Sequence, residues 1–336
     1  MKKIVKILMY VVIALCLLLA VTITFTVGWR PFIGPKARKL TDRKFESTPA
    51  RLERGARLVR STGCYFCHSP HDYKSPGEPV FPGREFSGTE EPYAGLPGRV
   101  VAPNLTPDRE TGAGNWTDDQ FARAIREGIG HDGRTLFPMM PYQNFRHMSD
   151  EDLASIVVYI RSVPPIHNPV PPTQIIFPVK YLIRTAPKPL TESVPEPDTS
   201  DKVKWGKYLL TRSGCGDCHT PGVKGQDIPG MELAGGTTLT TPGGSVTSAN
   251  LTPDASGISY YDEALFIEAL RTGKVKARQL KPTMPYSEAK YMTDDELKAV
   301  FAYLQSVPPV KHRVDNSLPP TYCKLCRGKH GAGDQN

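Results

Sequence analysis

One five-residue pattern, C-x-x-C-H, occurs twice in the chain, at Cys64-Tyr65-Phe66-Cys67-His68 and at Cys215-Gly216-Asp217-Cys218-His219. At this spacing two thiols can each bond one vinyl group of a single porphyrin, and the adjacent histidine lies under the ring to ligate the iron. With 7 Cys and 8 His in 336 residues, chance supplies about 0.003 such strings. Recurrence inside two similar segments argues against a redox C-x-x-C pair or half of a zinc site. A chain built on such strings must wrap round flat cofactors. Its 29 Gly and 33 Pro suit compact domains with much loop, where a cofactor replaces part of the side-chain core.

The repeat extends well beyond these strings. Gly55 and Gly206 each precede the first cysteine by nine residues, and Asn104-Leu-Thr-Pro-Asp108 returns as Asn250-Leu-Thr-Pro-Asp254. Trp116 to Gly128 matches Tyr261 to Gly273, Met140-Pro-Tyr142 matches Met284-Pro-Tyr286, and Ser162-Val-Pro-Pro165 matches Ser306-Val-Pro-Pro309. Helix signals fall at corresponding places. Arg51–Thr62 and Asp201–Ser213 lead into the two strings. Thr117-Asp-Asp-Gln120 is a capping box opening a helix that ends near Gly128. Ser149-Asp-Glu-Asp152 and Thr293-Asp-Asp-Glu296 open the last helix of each copy, with acids at the positive end of the dipole. Those helices carry core stripes at Leu153, Ile156, Val157, Ile160 and at Leu297, Val300, Phe301, Leu304. No strand pattern is strong, so the expected class is all-α, and the loops after each string read as irregular.

Charge separates the anchor from the folded parts. The net charge is +8, but residues 1–50 carry nine basic against two acidic residues, and the two repeats are nearly neutral. No basic stripe lies on a folded unit, which excludes nucleic-acid binding. The basic excess flanks Ile7 to Trp29, 23 residues without a charge, enough for a helix of roughly 34 Å that crosses a bilayer. Behind Lys2, Lys3 and Lys6, this run is too long for an ordinary signal h-region and no A-x-A site follows it, so the expectation is an uncleaved signal-anchor. A cleaved signal peptide competes with it, and a lipoprotein through Cys16 is weaker because Leu15 precedes it. The expected organisation is a transmembrane helix at 1–30, a basic juxtamembrane segment at 31–50, a first domain at 51–167, an extended Pro-rich linker at 168–200, a second domain at 201–312 and a tail at 313–336.

The set C-x-x-C-H, N-L-T-P-D, M-P-Y and a closing amphipathic helix makes each repeat resemble a small class I cytochrome c domain. The pair is similar to the multihaem cytochrome c subunits of membrane-bound alcohol and sugar-acid dehydrogenases. The resemblance covers about 50–167 and 201–312. It implies two covalent c-type haems, on Cys64, Cys67 and His68 and on Cys215, Cys218 and His219. It also implies crossing first and last helices, with Gly55 and Gly206 allowing close approach to Tyr159 and Tyr303.

In that family a Met-bearing loop supplies the sixth iron ligand, and a thioether there stabilises Fe(II) and raises the potential. Met140 and Met284 are the candidates; Met139 competes locally, but only Met140 aligns with Met284 through the Pro-Tyr that follows. His131, His147 and His167 have no counterparts in the second copy. Trp116 and Tyr261 read equally as core aromatics or as donors to a haem propionate. Irons closed by His and Met leave no open position for a substrate. The expected function is therefore electron transfer without catalysis, between a quinol or dehydrogenase donor and a downstream cytochrome or oxidase. The alternative is a dihaem enzyme, a peroxidase or thiosulfate dehydrogenase, with one exchangeable site.

Six basic residues after the apolar segment against three before it would keep the domains in the cytoplasm. Haem attachment in the family happens outside the cytoplasmic membrane, so the domains are expected in the periplasm of a bacterial inner membrane protein. The tail from Tyr322 to Asp334 resembles the opening of a third haem domain, with Arg327 where the histidine is required and His330 three residues too late. No third haem is expected. Cys323 and Cys326 read as a disulfide or an adventitious metal site.

Overall fold

The computed structural model describes residues 2–75, 78–90, 95–223, 225–241, 244–281 and 283–336. The chain is mostly helical. Helix α1 (Lys2–Phe25) is apolar, with a span at Lys3–Phe25 that is long enough to cross a membrane and is not buried against the rest of the chain. A short turn, α2 (Arg30–Ile33), follows it. The first domain contains α3 (Pro49–Ser61), α4 (Cys64–Cys67), α5 (Asp118–Glu127), α6 (Tyr142–Phe145) and α7 (Asp150–Ser162). After α8 (Val179–Leu182), the second domain repeats the order with α9 (Lys202–Arg212), α10 (Cys215–His219), α11 (Glu263–Thr272), α12 (Tyr286–Ala289) and α13 (Asp294–Ser306).

The capping signals act where the sequence places them. Thr117 and Gln120 close a full capping box on α5, and Thr293 and Glu296 do the same on α13. Ser149 accepts from Asp152 N to start α7. Gly128 and Gly273 end α5 and α11 in the left-handed conformation, both at φ 71°.

In each domain the first and last helices cross: α3 packs on α7, and α9 on α13. A Cβ built on Gly55 would collide with Ser155 O and lie 2.6 Å from Tyr159 Cβ. One built on Gly206 would collide with Ala299 O and lie 2.8 Å from Tyr303 Cβ. Glycine is thus the residue that admits each crossing. Leu58, Val59, Leu153, Ile156, Val157 and Ile160 fill the first core, while Leu209, Leu210, Leu297, Val300 and Leu304 fill the second. Full burial of each such side chain contributes about 1.5–3 kcal/mol.

Four parts of the chain add to or depart from the sequence expectation. Loops read as irregular contain short antiparallel ladders, Thr89–Glu90 with Val101–Ala102 and Thr238–Thr241 with Gly244–Thr247, so the class is mostly helical rather than strictly all-α. The segment 168–200 is not simply extended. Its Gln174–Ile175 pairs with Gly98–Arg99, α8 packs on α2, and Arg184 Nη1 donates to Pro31 O at 2.9 Å. The basic juxtamembrane stretch lies along the first domain, where Arg38 bonds Asp119 at 2.6 Å and Glu127 at 2.7 Å, and Phe45 N donates to Asp118 at 2.7 Å. The tail, read as the opening of a third haem domain, instead forms a hairpin of Pro320–Tyr322 with Lys329–Gly331 held against the second domain.

Candidate functional site

A cavity of about 910 Å³ opens in the first domain. Cys64, Cys67, His68, Met139 and Met140 line it together with Leu105, Trp116, Phe121, Phe145, Ile156 and Ile160. The single turn α4 fixes the string: Gly63, left-handed at φ 79°, starts it, and His68 N donates to Cys64 O at 3.0 Å. His68 Nδ1 meets Pro103 O at 2.9 Å, so it carries the proton and leaves Nε2 as a lone pair. Burial holds the imidazole below its ordinary pKa, against the pull of the Pro103 carbonyl. A neutral imidazole with one fixed tautomer is what an iron ligand requires.

The second domain builds the same frame. Gly214 is left-handed at φ 67°, α10 carries Cys215, Cys218 and His219, and His219 Nδ1 meets Ala249 O at 2.7 Å. His219 too is held below its ordinary pKa, by burial first. Burial pushes the Cys215 thiol up to about 12, helped by the neighbouring Cys218 and Asp217.

The methionines sit in matched turns. Met140 N donates to Phe137 O at 3.1 Å and Tyr142 N to Met140 O at 2.8 Å; in the second copy Met284 N donates to Lys281 O at 2.9 Å and Tyr286 N to Met284 O at 2.8 Å. The tyrosine rings explain the glycine caps: a Cβ on Gly128 would lie 2.6 Å from Tyr142, and one on Gly273 would lie 2.8 Å from Tyr286. The cavity brings Met139 as well as Met140 to its wall, together with His131, which stacks on Trp116 with centroids 4.4 Å apart. His147 and His167 are exposed and outside the cavity lining.

Sequence reasoning recorded the N-L-T-P-D loop without its job. Asn104 Oδ1 accepts from Thr106 N at 3.0 Å and Thr106 Oγ1 at 2.7 Å, while its Nδ2 donates to Ile166 O at 2.8 Å. Asn250 repeats this with Thr252 and with Val310 O at 2.8 Å. Each asparagine directly follows the histidine's carbonyl partner, Pro103 or Ala249, and ties it to the segment after the closing helix. The exact recurrence of the loop was the available signal. Glu288 of α12, in the second domain, also lines the first cavity. Burial pushes its carboxyl up to about 7.

The first cavity and both histidine frames fit a porphyrin: apolar walls, paired thiols on one turn and a buried imidazole with a free Nε2. Comparison with known proteins agrees. A family model described as cytochrome c matches residues 52–164 and 203–308. The chain is 29% identical over 283 residues to the cytochrome c subunit of a quinone alcohol dehydrogenase from Gluconacetobacter polyoxogenes, covering 79% of this chain and 58% of that protein. It is 31% identical over 290 residues to the fructose dehydrogenase cytochrome subunit of Gluconobacter japonicus, 78% and 55% respectively. It is 27% identical over 274 residues to a diheme cytochrome c-type protein of Cereibacter sphaeroides, 80% and 89%. The chain thus spans little more than half the length of the two dehydrogenase subunits.

Proposed function

Because the chain belongs to the cytochrome c family and holds two covalently bound c-type haems, we propose that it is a membrane-anchored electron carrier. It takes electrons from a quinol or a dehydrogenase and passes them to a downstream cytochrome or oxidase. Cys64 and Cys67 attach one haem and Cys215 and Cys218 the other. His68 and His219 present Nε2 to the two irons, and Met140 and Met284 present sulfur from the other side. Each haem supplies a reversible Fe(II)/Fe(III) couple. Pro103 O and Ala249 O hold the histidines in one tautomer, so no proton needs to move at the imidazole when the charge changes.

The observation that carries this reading is the repetition of one frame, the same histidine lock and the same methionine turn, in both domains. A dihaem peroxidase or thiosulfate dehydrogenase needs one exchangeable position, which a Met-Pro-Tyr turn in each copy does not favour. Helix α1 anchors the chain in the bacterial inner membrane, and domains 51–167 and 201–312 face the periplasm. The likeness to cytochrome subunits of an alcohol and a fructose dehydrogenase supports a dehydrogenase as donor.

The test is a pull-down of the full chain from detergent-solubilised membranes, followed by anaerobic mixing with the co-purified dehydrogenase and its substrate. Reduction of both haems without consumption of added peroxide or thiosulfate is expected. Turnover of either added compound, with no reduction by a dehydrogenase or a quinol, overturns the proposal.

A further inference from the structure

The tail closes a second kind of site. His312, Cys323, Cys326 and His330 are all buried, and their ligand atoms lie within 4.8 Å of one another. His312 Nε2 is 3.2 Å from His330 Nε2 and 3.4 Å from Cys323 Sγ. Tetrahedral zinc, with Zn–N of about 2.0–2.1 Å and Zn–S of about 2.3 Å, places two nitrogens about 3.3 Å apart and a nitrogen and a sulfur about 3.6 Å apart. The side chains therefore already stand at the edges of such a tetrahedron.

The hydrogen bonds round the site turn both imidazoles toward one shared position. His312 Nδ1 meets Ala234 O at 2.8 Å, and His330 Nδ1 meets Gly331 O at 3.0 Å. A carbonyl accepts, so each Nδ1 carries the proton, and in the neutral ring each Nε2 is a bare lone pair. Two such lone pairs facing each other at 3.2 Å, in residues 0% and 1% exposed, repel unless a proton or a metal ion lies between them, and a proton alone would leave a buried imidazolium with no counter-charge. A Cys323–Cys326 disulfide would leave that repulsion in place. Zinc takes the two sulfurs as thiolates and releases two protons, which makes the buried centre neutral.

The local backbone serves the same end. Cys323 N donates to Gly328 O at 2.8 Å, closing the loop Cys323-Lys-Leu-Cys326-Arg-Gly328, with Arg327 left-handed at φ 56°. Arg327, which cannot ligate a haem iron, here only turns the chain. A Cβ on Gly236 would lie 2.7 Å from His312 Cε1 and 3.1 Å from Cys326 Cβ, so glycine lets the loop from the second haem domain close over the site.

We propose that His312, Cys323, Cys326 and His330 bind one structural zinc ion, which pins the tail to the second haem domain. The loop it grips is the one below His219, since Ala234 O holds His312 and Gly235 N donates to His219 O at 2.7 Å.

Metal analysis of the full chain, purified in detergent and dialysed against EDTA, tests this. One zinc beside two iron atoms per polypeptide is expected. The double variant Cys323→Ser/Cys326→Ser is expected to lose the zinc and keep both irons, and His330→Ala serves if the double variant fails to fold. Wild-type protein without zinc, with a different metal in its place, or with an intact mass two hydrogens lighter from a Cys323–Cys326 disulfide, overturns the proposal.

Discussion

Arg212 of the second domain donates through Nη1 to Asp152 Oδ2 of the first at 2.9 Å, and the two side chains are only 3% and 2% exposed. Arg54 reaches the same carboxylate at 2.6 Å, and Tyr208 bonds it as well. Arg212 and Arg57 both approach Glu296, at 3.7 and 2.8 Å. Asp152 starts the closing helix of one domain and Arg212 lies three residues before the haem string of the other. The ion pair therefore fixes one haem pocket relative to the next.

Removing one partner of a buried pair leaves the other charge uncompensated. Asp152→Ala is expected to cost about 3–5 kcal/mol, read by denaturant unfolding; a loss below about 1 kcal/mol, the scale of an exposed pair, would contradict the assignment. Burial opposes ionisation of Asp152, but Arg212 and Arg54 outweigh it and hold the carboxyl below its ordinary 3.8. The stabilisation is complete above that value and is lost as pH falls through the lower folded value. Asp152→Asn should remove that part of the acid sensitivity.

Glu288 reaches from the second domain to the first cavity, with its carboxyl raised to about 7 by burial. As pH rises through 7 it ionises and places a negative charge beside the first haem, which favours Fe(III). Potentiometric titration at several pH values should show one haem whose potential falls across this range, and Glu288→Gln should abolish the fall. A potential that falls equally in the variant would exclude Glu288 as its source.

Gly206 faces Ala299 O and Tyr303 Cβ across the α9–α13 crossing. A methyl there meets backbone, which cannot swing aside, so Gly206→Ala should destabilise by about 1–3 kcal/mol through overpacking. Thermal unfolding checks it. An unchanged midpoint would show that the crossing has slack.

Met140 and Met284 are the proposed sixth ligands. Met140→Ala and Met284→Ala should each lower the potential of one haem and open that haem alone to carbon monoxide. Met139→Ala should do neither. If carbon monoxide binds after Met139→Ala and not after Met140→Ala, the ligand in the first domain is Met139.

Much of this was legible in the sequence because it is local. The haem strings, the capping residues Thr117, Ser149 and Thr293, and the stripes of α7 and α13 announce themselves within a few residues. The repeat then placed Gly55 and Gly206, and the family resemblance pointed to Tyr159 and Tyr303 as what they face. What escaped depends on distant contacts. Gln174–Ile175 is a two-residue strand whose partner lies at Gly98–Arg99, too short to show an alternating pattern. His312 carries no motif of its own, and only the hairpin at Pro320–Tyr322 and Lys329–Gly331 brings Cys323, Cys326 and His330 to it. His330 is misplaced for a haem string, yet the fold puts it at the right distance for a different metal.

On the proposed ligation, both irons are gripped by His and Met and closed to small molecules. Electron paramagnetic resonance and optical spectra of the oxidised full chain test it most directly. Two low-spin ferric haems with the far-red band of Met–Fe ligation, and no carbon monoxide adduct after reduction, are predicted. A high-spin signal from either haem, or an adduct on the unmutated reduced protein, would contradict it.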